Sequence, residues 1–476
     1  MNYDFPLHHY SDYENIEKHS SVVKPGTVLL TCKPFAYSLS PNLNEIRCNT
    51  CFKLEGKSGG CEGLILLRCG GCQQVRFCNR ECQRQGWNDG HKYECKGFGL
   101  QKRVAGSFTR LLIRIIVKLQ KNSDYYDEVS RRKVRRRFKD LVSHFADLKT
   151  DKTRMEQVEA MSHIARSVLL HHPEIKFPNE TELLGICGRI FVNTFSITDY
   201  ENHTIGIGLY IGASVFDHSC QPLAVANFDS TDIIIRNIRE FPITLPILKV
   251  TISYRDVIKP TEIRKAELLK CYYFECQCER CSTFLFDNTM QSVVCPNKCD
   301  VEINLKLHQE CPKCKYKFEE DYIQKVADAE EAAKMKITEM GDTAYLDVAE
   351  VYIRILTSLH FSEIHWLLTE MYGVGFDSCI DTQRWECAYQ YGTMALKGYR
   401  HYLFEFDMSL GLMFLRMAKL SWYLEKEKEA KSYIVEAKKI LDVTHGLNSP
   451  FARQHIFPLI REISMCCRFS NQLSIP

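Results

Sequence analysis

Between residues 48 and 95, cysteines arrive in close pairs: Cys48 and Cys51 in CNTC, Cys69 and Cys72 in CGGC, Cys78 and Cys82 in CNREC, then His91 and Cys95 in HKYEC. Pairs with two or three intervening residues let one turn present both ligands to one ion. Thiolate sulfur and imidazole nitrogen taken in fours are the donor set of zinc, so these clamps suffice for two tetrahedral sites. The segment has too few apolar residues for a core of its own, and metal binding is expected to supply much of its folding free energy. A disulfide framework would need an oxidising compartment. The opening residues, MNYDFPLHHY, lack the charged start and apolar run of a signal peptide, so a reducing compartment is expected. Spacing does not say which four ligands share an ion. Cys61, between clamps, reads as a spare thiol.

Two further groups follow. Cys276, Cys278 and Cys281 form C-x-C-x2-C, three thiolates where zinc takes four, and Cys220 in DHSCQP is the distant candidate for the fourth. Cys295 and Cys299 (CPNKC) with Cys311 and Cys314 (CPKC) bracket VEINLKLHQE as in a zinc ribbon. Three zinc ions are therefore expected, with a fourth at the ribbon. Cys379, Cys387, Cys466 and Cys467 lack clamp spacing and read as core thiols.

The elements that must position these groups belong to a chain of 476 residues, room for two to four domains at ~150 residues each. The apolar run at residues 111–119 is broken by Arg114 and Lys118, which excludes a membrane span there. Net charge is +3 but uneven: residues 102–139 hold thirteen Lys/Arg against three Asp/Glu, and residues 319–350 ten acidic against three basic. The basic run RRKVRRRFK at 131–139 reads as a nuclear import signal, a nucleic-acid patch or a solvated helix face. It lacks the interleaved aromatics of a single-strand binder, so direct nucleic-acid recognition has weak support. Residues 24–39 read as a Pro-Gly turn, a strand and an extended exit that must pair elsewhere. Residues 101–177 read as helical, giving way to strand near 191–197. Strands are expected through 205–229, 232–240 and 248–254. GIG at 206–208 is followed by neither a helix nor a third glycine, so a dinucleotide site is excluded. From about residue 322 the chain reads as helical, with one apolar stripe at Trp385, Ala388, Gly392, Ala395 and Tyr399 and another at Ala430, Ile434, Ala437 and Leu441.

The clamp spacing at 48–95, with Trp87 before His91, resembles the MYND zinc finger. That resemblance implies interleaved sites: Cys48, Cys51, Cys78 and Cys82 on one ion, and Cys69, Cys72, His91 and Cys95 on the other. DHSCQP resembles the NHSC-x-P motif of SET domains, ISY at 252–254 their terminal tyrosine, and FECQCERC their post-SET clamp, which implies one zinc site from Cys220, Cys276, Cys278 and Cys281. Together these are similar to the SET and MYND domain-containing protein-lysine methyltransferases, as a divergent member. The implied fold class is α+β: a SET β-fold split by a MYND zinc finger and a helical insert, then a helical C-terminal domain like tetratricopeptide repeats. The implied segments are 1–47, the N-terminal part of SET; 48–95, the finger; 96–190, the insert; 191–260, the SET core; 261–285, the post-SET site; 290–318, the ribbon; and 320–476, the C-terminal domain.

The resemblance implies an S-adenosylmethionine-dependent protein-lysine N-methyltransferase acting on histone or non-histone proteins. In that role Tyr254 orients the amine, Phe195 and Tyr272 line the lysine channel, and Phe274 stacks on adenine. Asn15, Asn193, Ser214, Asp217 and His218 contact the cofactor. Three features depart from the family: Glu14 and Ile16 stand where glycines flank the residue matched by Asn15, FPITLPILKV at 241–250 replaces a G-E-E strand start, and Asp217 replaces asparagine. They leave open a second reading, a catalytically weak or inactive adaptor whose finger grips proline-rich peptides. A monomer in nucleus and cytoplasm, without membrane attachment, is expected.

Overall fold

The computed structural model describes residues 21–56, 63–121, 126–129, 134–340 and 345–466, without the side chains of 126–129, 134, 135 and 466. Glu14, Asn15, Ile16, Cys61, residues 131–133 and Cys467 lie outside them. The chain divides into two compact units: Met1–His218, Pro222–Ile252 and Leu269–Phe274 form the first, while Ser219–Gln221, Ser253–Leu268 and Glu275–Pro476 form the second. Helices and small sheets are both present, the α+β class.

The first unit is built on two three-stranded antiparallel sheets. Val28–Cys32 pairs with Asp232–Asn237, which pairs with Ala224–Asp229. Ala36–Leu39 pairs with Thr204–Leu209, which pairs with Thr194–Thr198. Each sheet thus joins a strand before the finger to strands far later in the chain, about 200 residues on in the first sheet and about 170 in the second. Period-two alternation specifies the register, because Ile233 and Ile235 point inward and are fully buried. Asp217–His218 and Thr251–Ile252 form a short parallel pair.

The helices Lys92–Gln101, Ser107–Lys121, Lys152–Leu169 and Glu180–Asn193 cover this framework. Leu111, Leu112, Ile115 and Ile116 of the second helix share one core with Phe35, Leu209, Cys48 and Cys95. The finger is therefore packed into the sheet's core and is not an appended module.

Two expectations need correction. The insert is not helical throughout, since Tyr126–Val129 and Val134–Arg137 form a hairpin with Asp127 opposite Arg136 and Glu128 opposite Arg135. Residues 126–129 and 134–137 pair with each other as antiparallel strands, which a continuous helix through them would not allow. The described part of the basic run is accordingly strand and short turn, not a helix face. Helix Glu180–Asn193, started by a reciprocal Asn179–Glu182 cap, runs through Phe191–Asn193, and the strand begins only at the β-branched Thr194.

The second unit is mostly helical: Glu320–Met340, Leu346–Ser358, Trp366–Asp381, Trp385–Tyr402, Met408–Tyr423, Glu427–Thr444 and Phe457–Cys466. Ala388, Gly392 and Ala395 are buried, as are Ala430, Ile434, Ala437 and Leu441. A Cβ on Gly392 would lie 2.4 Å from Met417 Sδ and 2.9 Å from the Phe376 ring, so those side chains would have to shift to admit one. No helix among the described residues is long and apolar enough to cross a membrane.

Candidate functional site

The cysteines gather into four quartets, each with its ligand atoms within 4.8 Å of one another: Cys48, Cys51, Cys78, Cys82; Cys69, Cys72, His91, Cys95; Cys220, Cys276, Cys278, Cys281; and Cys295, Cys299, Cys311, Cys314. Sulfurs on a tetrahedral zinc with ~2.3 Å bonds lie roughly 3.8 Å apart. The distances fit: Cys51–Cys78 3.6 Å, Cys69–Cys95 3.8 Å, Cys220–Cys281 3.6 Å and Cys299–Cys311 3.6 Å. His91 directs Nε2 at Cys69 (3.4 Å) and Cys72 (3.5 Å), making Nε2 its metal-binding nitrogen. These are metal-binding clusters of the zinc type.

Local structure explains the interleaving. Leu67–Arg68 pairs with Arg76–Phe77, and the Cys69 N–H donates to the Val75 carbonyl, so the knuckle holding Cys69 and Cys72 forms the tip of a hairpin. The chain then returns through Cys78. Asn79 caps the helix Arg80–Gly86, its side chain accepting from the Cys82 N–H at 2.7 Å, which turns Cys82 toward Cys78 at 3.3 Å.

Behind the second quartet lies a charge network that motif reading missed. Glu94, fully buried, accepts from Arg110 Nε (3.2 Å) and Nη2 (2.8 Å) and from Arg114 Nε (2.8 Å) and Nη2 (3.1 Å). His91 Nδ1 faces it at 3.5 Å. Arg110 also donates to Asn49 Oδ1 in the finger, and Arg114 to the Tyr37 carbonyl in a sheet strand. Burial opposes ionisation of Glu94, yet the two arginines and His91 hold its carboxyl well below the usual range. Gly90, at φ 145°, admits the network, because a Cβ there would lie 2.7 Å from Arg114 Cγ. The available signal was two arginines inside an apolar helix and a glutamate between two ligands.

The candidate cofactor residues divide between the units. Asn193, Phe195, Ser214, Asp217, His218, Tyr272 and Phe274 belong to the first, and Tyr254 to the second, two residues after Thr251–Ile252. Within the first unit the His218 and Phe274 rings lie 6.0 Å apart, and those of Tyr272 and Phe274 6.3 Å apart. Phe195 stands edge-on to Tyr210 at 5.7 Å. Asn193 commits its amide hydrogens to the Val142 (2.8 Å) and Arg189 (2.9 Å) carbonyls, and Ser214 Oγ donates to Tyr210 O at 2.7 Å. Partial burial raises the Asp217 carboxyl pKa, opposed by Arg136 and Lys249.

Residues 48–95 match the model of the MYND finger. The chain is 26% identical over 434 residues to the N-lysine methyltransferase SMYD2-A of Danio rerio, covering 90% of this chain and 91% of that protein. It is 26% identical to N-lysine methyltransferase SMYD2 of Homo sapiens over 90% of this chain and 91% of that protein. It is 25% identical to Histone-lysine N-methyltransferase ASHR1 of Arabidopsis thaliana over 90% of this chain and 89% of that protein. With its finger matched, the chain is similar over nine-tenths of its length, at about a quarter identity, to N-lysine and histone-lysine methyltransferases of the SMYD type.

Proposed function

We propose that the chain is an S-adenosylmethionine-dependent protein-lysine N-methyltransferase acting on a histone or non-histone protein. The observation that carries this is the likeness to N-lysine methyltransferases over 90% of the chain, which takes in the sheets and the helical region as well as the finger. The contact cluster of His218, Tyr272 and Phe274 supports it, since an aromatic face such as that of Phe274 can stack on a flat heterocycle. S-adenosylmethionine, when bound, supplies a methyl group on a sulfonium sulfur.

A lysine amine attacks carbon only when neutral, and its ordinary pKa near ~10.4 keeps it charged at neutral pH. Phe195 and Tyr272 favour the neutral amine by desolvation, and their faces tolerate a methylated ammonium. The Tyr254 hydroxyl accepts from the amine N–H and so aims the lone pair. Asn193, its amide hydrogens already used, offers Oδ1 to the cofactor's ammonium end. Ionised Asp217 likewise only accepts. The zinc ions, two in the finger, one at Cys220 and one at the ribbon, are structural: four protein ligands each leave no open position.

The adaptor reading, with the finger holding proline-rich peptides, is favoured by one observation: Asp217 stands where the family motif has asparagine. The chain acts as a monomer in nucleus and cytoplasm in either case. The test is transfer of labelled methyl to candidate proteins, with calorimetric titration of S-adenosylmethionine alongside. Tyr254→Phe is expected to abolish turnover and spare cofactor affinity, and an unchanged rate would remove Tyr254 from the catalytic role. No cofactor binding at all would overturn the methyltransferase reading and favour the adaptor.

A further inference from the structure

The Cys220 quartet has a cationic neighbour that neither the motifs nor the comparisons assign. Arg264, in the first turn of helix Thr261–Tyr272, is fully buried. Its Nε donates to Cys220 Sγ at 3.4 Å and its Nη2 to Cys281 Sγ at 3.5 Å. The other donors go to the Thr261 hydroxyl (2.8 Å) and the Lys259 carbonyl. Thr261 is fixed in turn by Asp287, which accepts from its N–H and its hydroxyl. Arg280, also fully buried, lies between ligands Cys278 and Cys281 and donates to the Val257 (2.7 Å) and Tyr402 (3.3 Å) carbonyls.

We propose that Arg264 is an outer-sphere positioning residue of this metal site, which fixes the direction of the Cys220 and Cys281 sulfurs and ties the start of helix Thr261–Tyr272 to metal occupancy. The inference rests on the reading of this quartet as a zinc site. Charge is the reason. A divalent cation among four thiolates leaves two negative charges, in a place where Cys220, Cys276 and Cys281 are at most 3% exposed. The guanidinium of Arg264, bonded to two of the sulfurs, offsets part of that charge, with Arg280 close by in sequence. A buried guanidinium against neutral thiols would instead be an uncompensated cation with two weak acceptors. N–H bonds to sulfur also fix the direction of each ligand, as outer-shell partners do at other metal sites. Arginine suits the task better than lysine, because its planar fork reaches both sulfurs, the hydroxyl and the carbonyl from one rigid group.

The experiment follows zinc release from the full-length, metal-loaded chain into a chromogenic chelator, with the phase from this quartet assigned by Cys276→Ser. Arg264→Gln is expected to speed that phase by about 10- to 100-fold and leave the finger's phases unchanged, with Arg264→Lys in between. Release in Arg264→Gln at the natural rate overturns the proposal, and so does equal acceleration of every phase, which would mean general loosening. Absence of any zinc assignable to this quartet in the natural chain would overturn the metal reading itself. Should Arg264→Gln not fold, exchange of the Arg264 Nε–H in the natural protein decides. Protection that disappears on chelation supports the proposal, and identical exchange with and without metal overturns it.

Discussion

Glu94→Gln tests how firmly the finger is welded to the sheet. The wild-type carboxylate takes four hydrogen bonds from Arg110 and Arg114, all partners being at most 2% exposed. Glutamine keeps the shape, removes the charge, and turns an amide donor toward two guanidiniums that only donate. Breaking a buried pair by deleting one partner costs about 3–5 kcal/mol. At 1.36 kcal/mol per decade, that cost makes opening roughly two to four orders of magnitude more frequent. Hydrogen exchange of the zinc-loaded protein reads this directly: amides of Ser107–Lys121 should lose that protection while helices of the second unit keep theirs. The sign with pH is also set. A carboxyl held below its usual pKa contributes stability at pH above its unfolded value near ~4.3, and loses it as pH falls through the folded pKa. The glutamine variant should lack this acid-limb dependence. A loss of protection below about 1 kcal/mol would refute the reasoning, since the network would then be no better than a surface pair.

Elemental analysis of metal-replete protein should give four zinc ions per chain, and fewer than three would sink the quartet assignment. Natural protein should bind S-adenosylmethionine weakly, and Asp217→Asn should bind it more tightly, because an ionised aspartate repels the cofactor carboxylate and cannot donate to it. Unchanged or weaker binding by the variant would instead make Asp217 an adapted ligand. In the second unit, burial first and Asp256 second push the Glu370 carboxyl up to about 8. A raised acid contributes stability fully below its unfolded pKa near ~4.3 and loses it as pH rises through about 8, so the second unit's melting temperature should fall over that window. Glu370→Gln should flatten the slope, and a slope that survives the substitution would contradict the assignment.

The sequence by itself determined the ligand chemistry, because clamp ligands have only one to three residues between them and a short turn can bring both to one ion. It also determined the apolar faces of the C-terminal helices, where Ala388, Gly392 and Ala395 recur at helical spacing and are buried. Three things were decided only by tertiary structure. The hairpin Tyr126–Val129 with Val134–Arg137 was hidden by the helical periodicity on either side of it. The pairing of Val28–Cys32 with Asp232–Asn237 closes a loop of about two hundred residues, a contact that no local pattern encodes. Arg114 reads as an interruption of an apolar run, and Arg110 and Arg264 carry no motif. A charge becomes tolerable inside a core only when a distant anion is folded against it. Glu94 stands behind one metal site, and the Cys220 and Cys281 sulfurs form part of another, so the physical meaning of all three arginines depends on groups 16 to 44 residues away.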